Sequence, residues 1–153
     1  MEKDFVDSWE RHKEELRTYI EASSQKELES YQALVKILFQ IVINPDLKDA
    51  PYDTDKIIVI DDGDYQGTQI YILRQAVYQP CVENYVYTHV YTHVYYGSCS
   101  GCDILQSICC QGGLPVELDE NEKPSPDQVI SYMQLLLHLL QRTKRFQDND
   151  AED

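Results

Sequence analysis

The chain has 153 residues and a formal net charge of −14, which leaves room for one core and excludes the basic surface that a nucleic-acid backbone requires. Five cysteines, an odd number, argue against a disulfide framework. With no apolar leader behind Met1, they point to a reducing cytoplasm with free or metal-bound thiols. No apolar run is long enough to cross a membrane.

Residues 4–21 carry Phe5, Trp9, Leu16, Tyr19 and Ile20 near helical spacing, which predicts an amphipathic helix. A second helix is expected after Ser23-Ser24. Ser24 and Glu27 fit a capping box there, and Leu28, Tyr31, Leu34, Val35, Leu38, Ile41 and Val42 form the apolar stripe. Asn44-Pro45-Asp46 ends it, since proline cannot continue the ladder. The two helices are expected to form a hairpin, with residues 46–55 as a loop.

KIIVIDD (56–62) and GTQIYILR (67–74) read as two strands of a β-hairpin, with a turn signal at Asp62-Gly63 and a bulge position at Gly67. The stretch YVYTHVYTHVY (85–95) sorts cleanly by period two. Tyr85, Tyr87, His89, Tyr91, His93 and Tyr95 lie on one face, and Val86, Thr88, Val90, Thr92 and Val94 on the other. The Val/Thr face suits packing against helices. The Tyr/His face suits a pocket, a second subunit or water.

Gly97 to Asp103 turns the chain into a short helix, DILQSICC, which Gln111-Gly112-Gly113 ends. Ser125-Pro126-Asp127-Gln128 opens a long last helix with an N-cap serine and proline at the first helical position. Val129, Tyr132, Met133, Leu136, Leu137 and Leu140 mark its buried side. Arg142, Lys144 and Arg145 are expected at its C-terminal end, where the dipole favours cations. QDNDAED (147–153) reads as a disordered acidic tail.

The expected architecture is one α+β domain over residues 1–146. A three-stranded antiparallel sheet is packed on one face by helices, with an N-terminal helical hairpin and a long C-terminal helix.

Candidate chemistry gathers in two segments and one strand face. Asp61, Asp62 and Asp64 could take a divalent cation, although a solvated turn explains them as well. In GSCSGCD (97–103), small residues allow successive N–H groups to hold an anion or a carboxylate. The plainer reading is that Ser98, Ser100 or Asp103 caps its own helix. Cys99 and Cys102 have zinc-knuckle spacing, with His89, His93 or Asp103 as further ligands. Cys109 and Cys110 diverge by about 100° on a helix and read as small buried hydrophobes. A redox CxxC is disfavoured, because thioredoxin-like sites follow the first strand of a βαβ unit. The Tyr/His face could stack a base, or serve as cross-strand packing or a dimer surface. Between Arg74 and Lys123 there is no lysine or arginine, so a phosphate bound here would depend on backbone N–H groups, tyrosines, histidines or imported bases. The sequence has no nucleophile elbow, P-loop, zinc-protease or dinucleotide motif.

The segments DDGDYQGT (61–68), YQP (78–80), YGSCSGCDILQ (96–106) and QVISYMQLLLHLLQ (128–141) occur in an order that resembles small, mostly uncharacterised proteins of tailed bacteriophages. The resemblance implies an accessory protein in the cytoplasm of an infected bacterial cell, and no known reaction. The second YTHV and the Cys109-Cys110 pair are features of this chain.

The expected function is therefore non-enzymatic: binding and inhibiting a host macromolecule, or sequestering a small ligand such as a nucleotide signal. The expected partner is a host protein or small molecule, with no direct nucleic acid and no membrane. The ligand-binding candidates are Asp61, Asp62, Asp64, Tyr65, Gln66 and Gly67; His89, Tyr91, His93 and Tyr95; and Gly97, Ser98, Cys99, Ser100, Gly101, Cys102 and Asp103. No cofactor is required, zinc on Cys99 and Cys102 being the alternative. A structural homo-oligomeric module is the third reading.

Overall fold

The computed structural model describes residues 3–63, 66–97, 103–109 and 122–146. The expected acidic tail, 147–153, lies outside them. Helix α1 (Lys3–Ala22) buries Phe5, Trp9, Leu16 and Ile20 and leaves Tyr19 exposed. The expected second helix is split. Ser24 caps only a 3-10 turn, Gln25–Leu28, by accepting from Glu27 N. Ser30 then caps α2 (Tyr31–Leu38), accepting from Ala33 N. Each serine offers the backbone an oxygen that a new helix start can use, so the chain restarts rather than continuing. A widened π-type turn, Phe39–Ile43, and a 3-10 turn, Asn44–Asp46, finish the segment at the proline. Asp46 meets Ser8, Arg11 and His12 of α1, so the two helical segments run antiparallel as a hairpin.

The sheet is antiparallel with strand order β1-β2-β3-β4: β1 is Ile58–Asp61, β2 Gly67–Gln79, β3 Asn84–Tyr96 and β4 Lys144–Phe146. The expectation of three strands is corrected to four among the described residues. Helix α4 (Pro126–Gln141) begins with the expected capping box of Ser125 and Gln128. It ends before Lys144, which with Arg145 and Phe146 pairs with Tyr91, Val90 and His89. Lys144 and Arg145 therefore lie on a strand and not in the last helical turn. The turn-off point is Thr143. Its hydroxyl donates to Leu139 O at 2.8 Å, and Thr92 of β3 donates to the same carbonyl at 2.8 Å. One carbonyl thus ties the helix end to the sheet.

Helix α4 lies against β3 and packs with α1 and α2 around one hydrophobic core. Val90, Thr92 and Val94 point into that core with Tyr71 and Leu73 of β2, as the Val/Thr assignment requires. The Tyr/His face points away, with Tyr85, Tyr87 and Tyr95 exposed. Asn44 fastens the loop before β1, donating to Tyr52 O and accepting from Tyr52 N. The short helix α3 (Ile104–Cys109) follows β3 and packs on α4.

Candidate functional site

In the antiparallel β2–β3 hairpin Gly67 pairs with Tyr96. The beginning of β2 and the end of β3 are the same end of the sheet, so Asp61, Asp62, Gly63 and Gly67 converge there with Tyr96, Gly97 and Asp103. The Tyr96 hydroxyl is 2.5 Å from Asp61 Oδ1 and 2.7 Å from the Gly63 carbonyl, sharing one proton between them. Gln69 Nε2 donates to Asp61 Oδ2 at 2.9 Å, and Gly63 N donates to Oδ1 at 3.0 Å. Those donors, Tyr96 first, hold the Asp61 carboxyl below the usual aspartate value. Asp62 Oδ1 accepts from Thr68 N at 2.6 Å and closes the turn.

Across the sheet end, Asp103 is 5% exposed. A carboxylate this buried requires donors, and the described residues supply three. Tyr31 OH and Gln106 N donate to Oδ1 at 2.7 and 3.2 Å, and Gly97 N donates to Oδ2 at 3.0 Å. Asp103 thus caps α3, the plainer of the two readings of that segment. Tyr31 OH in turn accepts from Leu105 N at 3.1 Å. Burial, then the Asp103 hydrogen bond, pushes the Tyr31 phenol well above its ordinary value. Burial does the same to Tyr71, whose hydroxyl donates to Gln69 Oε1.

Between these groups lies a cleft of about 470 Å³. Glu29, Ser30, Tyr31 and Gln32 line it from the α2 start, and Val59 from β1. Gln69, Tyr71, Tyr96 and Gly97 line it from the sheet, with Asp103, Leu105 and Gln106 at the floor of α3. Phenol, amide and carboxylate groups converge on a part-apolar wall, the composition of a small-molecule site. No cation is among the described lining residues. Arg74 and Lys123 bound a stretch without basic residues, so residues 98–102 add none.

The sequence candidates divide three ways. Asp61, Asp62, Gln66, Gly67, Gly97 and Asp103 come together at this sheet end. His89, Tyr91, His93 and Tyr95 lie on the opposite face, separated from Asp103 by the sheet itself. Asp64, Tyr65, Ser98, Cys99, Ser100, Gly101 and Cys102 lie outside the described residues. Among the described residues, no group of three or more His, Cys, Asp or Glu could hold a metal ion.

The outer face is a packed ladder. Tyr78 and Tyr85 meet edge to face at 5.4 Å, His93 and Tyr95 at 5.5 Å, and Arg74 sits 4.5 Å over the Tyr87 ring. Burial, then Arg142 and Lys144, keeps the His93 imidazole below its ordinary value.

Tyr31, Gln69, Tyr71 and Tyr96 were not legible as site residues. The available signal was a tyrosine at a core-facing position of a strand or helix, because a buried hydroxyl demands a partner. A separate cluster, Ser8, His12 and Asp46, has the residue types of a hydrolytic triad but the wrong connectivity. Both Ser8 Oγ and His12 Nε2 bond Asp46, at 2.7 and 2.8 Å, whereas a nucleophilic serine needs the imidazole between. It is a clamp between helices. No protein-family model, curated protein or solved structure matches this chain.

Proposed function

We propose that this protein binds a small neutral or cationic molecule in the cleft at the β1–β2–β3 sheet end and acts by sequestering it. The carrying observation is a cleft of about 470 Å³ whose described lining has three tyrosines, three glutamines and two carboxylates, without a basic side chain. Such a lining recognises amide, hydroxyl or amine groups and repels phosphate. The reading narrows the expected ligand class away from a nucleotide signal. Within it, Glu29 and Asp103 attract a cation, while Gln69 and Gln106 set hydrogen-bond direction. The resemblance of segments 61–68, 78–80, 96–106 and 128–141 to tailed-phage proteins supports a role in an infected bacterial cell.

Native mass spectrometry of freshly purified protein, followed by a thermal-shift screen of uncharged, amine-bearing and phosphorylated metabolites, tests this reading. A retained organic mass, or a non-phosphorylated binder that Gln69→Ala weakens about tenfold, is expected. A binder at a hundred times its Kd adds about 2.7 kcal/mol to stability. Hits confined to phosphorylated compounds, or no hit and no retained mass, overturn it.

The net charge of −14 favours one second reading, an acidic surface that occupies a basic site on a host protein. Capture of a basic bacterial protein at low salt, released as salt rises, would support it. No capture from lysate at low salt would sink it.

A further inference from the structure

We infer that β1 pairs edge to edge with β1 of a second copy of this chain, joining two four-stranded sheets across a two-fold axis.

Among the described residues β1 has one neighbour, β2, and its other edge is open. Open edges are usually guarded by inward charge, proline or a bulge. Here Ile58, Val59 and Ile60 are 53%, 38% and 49% exposed. An apolar strand left open on its edge and both faces is the pattern of an unfilled pairing site. Ile58 and Ile60 continue the outer face through their partners Ile72 and Ile70.

The backbone fixes which atoms are offered. Asp62 N donates to Thr68 O, in register with the pairs Ile60↔Ile70 and Ile58↔Ile72. Antiparallel ladders alternate, so residues 58, 60 and 62 bond β2. Val59 then directs its N–H and C=O to the open edge, flanked by Ile57 and Asp61.

The charge pattern selects the occupant. KIIVIDD runs from a base at Lys56 through four apolar residues to acids at Asp61 and Asp62. Antiparallel pairing centred on Val59 sets Val59 against its own copy and Ile58 against Ile60 of the second copy. Continued through the residues that flank β1, the same register sets Lys56 against Asp62 of the second copy. The strand is therefore its own complement, with two opposite-charge cross-strand pairs per dimer. A parallel arrangement would stack like charges.

The test is sedimentation velocity from about 1 to about 100 μM protein, for the full chain and three variants. The chain is expected to dimerise. Val59→Pro removes an N–H that β2 does not use, and Ile60→Lys puts a guarding charge on an exposed position. Each should give a monomer with an unchanged circular dichroism spectrum. Lys56→Glu should raise the dimer Kd about tenfold or more by setting like charges opposite. If Val59→Pro alters the spectrum, Ile60→Lys decides. A chain that is monomeric throughout, or a dimer untouched by Ile60→Lys and Lys56→Glu, overturns the inference.

Discussion

Tyr31 and Asp103 stand 72 positions apart in the chain and share a buried hydrogen bond of 2.7 Å. The same phenol oxygen accepts from Leu105 N, so one hydroxyl joins α2, the end of the β3 connection and the start of α3. Tyr31→Phe keeps the ring and removes both bonds. It leaves a buried carboxylate short of a donor and a buried N–H without its acceptor, which costs about 2–3 kcal/mol. Asp103→Asn should cost a comparable amount. The double variant is expected to be less destabilised than the sum, by about 1 kcal/mol or more. Urea titrations of the four proteins measure this coupling, and strict additivity would refute it.

The buried phenols also predict alkaline sensitivity. Tyr31 and Tyr71 are both raised above the ordinary tyrosine value of 10.0. An acid raised in the folded state holds its proton after the unfolded chain has lost it. The stabilisation is complete below pH 10.0 and is lost as pH climbs from there toward the folded values. Thermal unfolding should therefore fall steeply above that pH. Tyr31→Phe and Tyr71→Phe should each flatten the fall while lowering stability at neutral pH. A wild-type curve that stays level through the tyrosine range would contradict the burial argument.

Acid should act through Asp46. Its carboxylate accepts from Arg11 and Ser8 and lies 2.8 Å from His12 Nε2. Those partners, Arg11 first, hold it well below the ordinary value of 3.8. A carboxylate depressed in the folded state contributes stability that is present above the unfolded value and disappears as pH falls toward the folded one. Asp46→Asn should cost about 2 kcal/mol at neutral pH, and the difference from wild type should shrink below pH 3.8. A difference that stays constant down the acid limb would show that the clamp works by shape and not by charge.

Period-two alternation made β3 readable, including which face meets the helices, because each Val and Thr position has only one side to occupy. The Ser125–Gln128 start of α4 was equally legible, since that cap is written in adjacent residues. Three features were not. β4 has three residues, too few for any period, and exists because Thr143 turns the chain under β3. The break before α2 depended on whether Ser24 or Ser30 starts the longer helix, which tertiary packing decides. The cleft assembles from Tyr31, Gln69, Tyr71, Tyr96 and Asp103, and four of these read as ordinary core or strand residues. Their meeting follows from strand pairing across a long sequence separation, which no local pattern encodes.

The tight β2–β3 turn offers a stabilising change. Glu83 has φ of +51°, a left-handed conformation that costs a side-chain-bearing residue about 1 kcal/mol. Val82 N and Glu83 N already donate to Gln79 O and Pro80 O there, so the turn geometry is fixed by the backbone. Glu83→Gly should raise stability by about 0.5 kcal/mol, the relief being offset in part by added freedom in the unfolded chain. A lower melting temperature would indicate that the glutamate side chain contributes more than its strain removes.

Gly67 is where the 61–63 segment and the start of β2 leave no room. A Cβ added there would meet Asp62 Oδ1 at 2.7 Å, Gly63 Cα at 2.9 Å and Gly63 N at 3.0 Å. Two of these contacts are backbone and cannot swing aside, so Gly67→Ala must push the 61–63 segment away from β2. That displacement should stretch the Thr68 N to Asp62 bond and pull Asp61 from Tyr96 and Gln69, costing about 1–3 kcal/mol. Thr68→Ala keeps the backbone N–H and removes only a side chain, so it should cost far less. If the cleft is the binding site, Gly67→Ala should also weaken the ligand, because Gln69 and Tyr96 line the cleft and anchor on Asp61. Hydrogen exchange at Thr68 N reports the turn directly. Exchange there as slow as in wild type would mean that the added methyl is absorbed elsewhere.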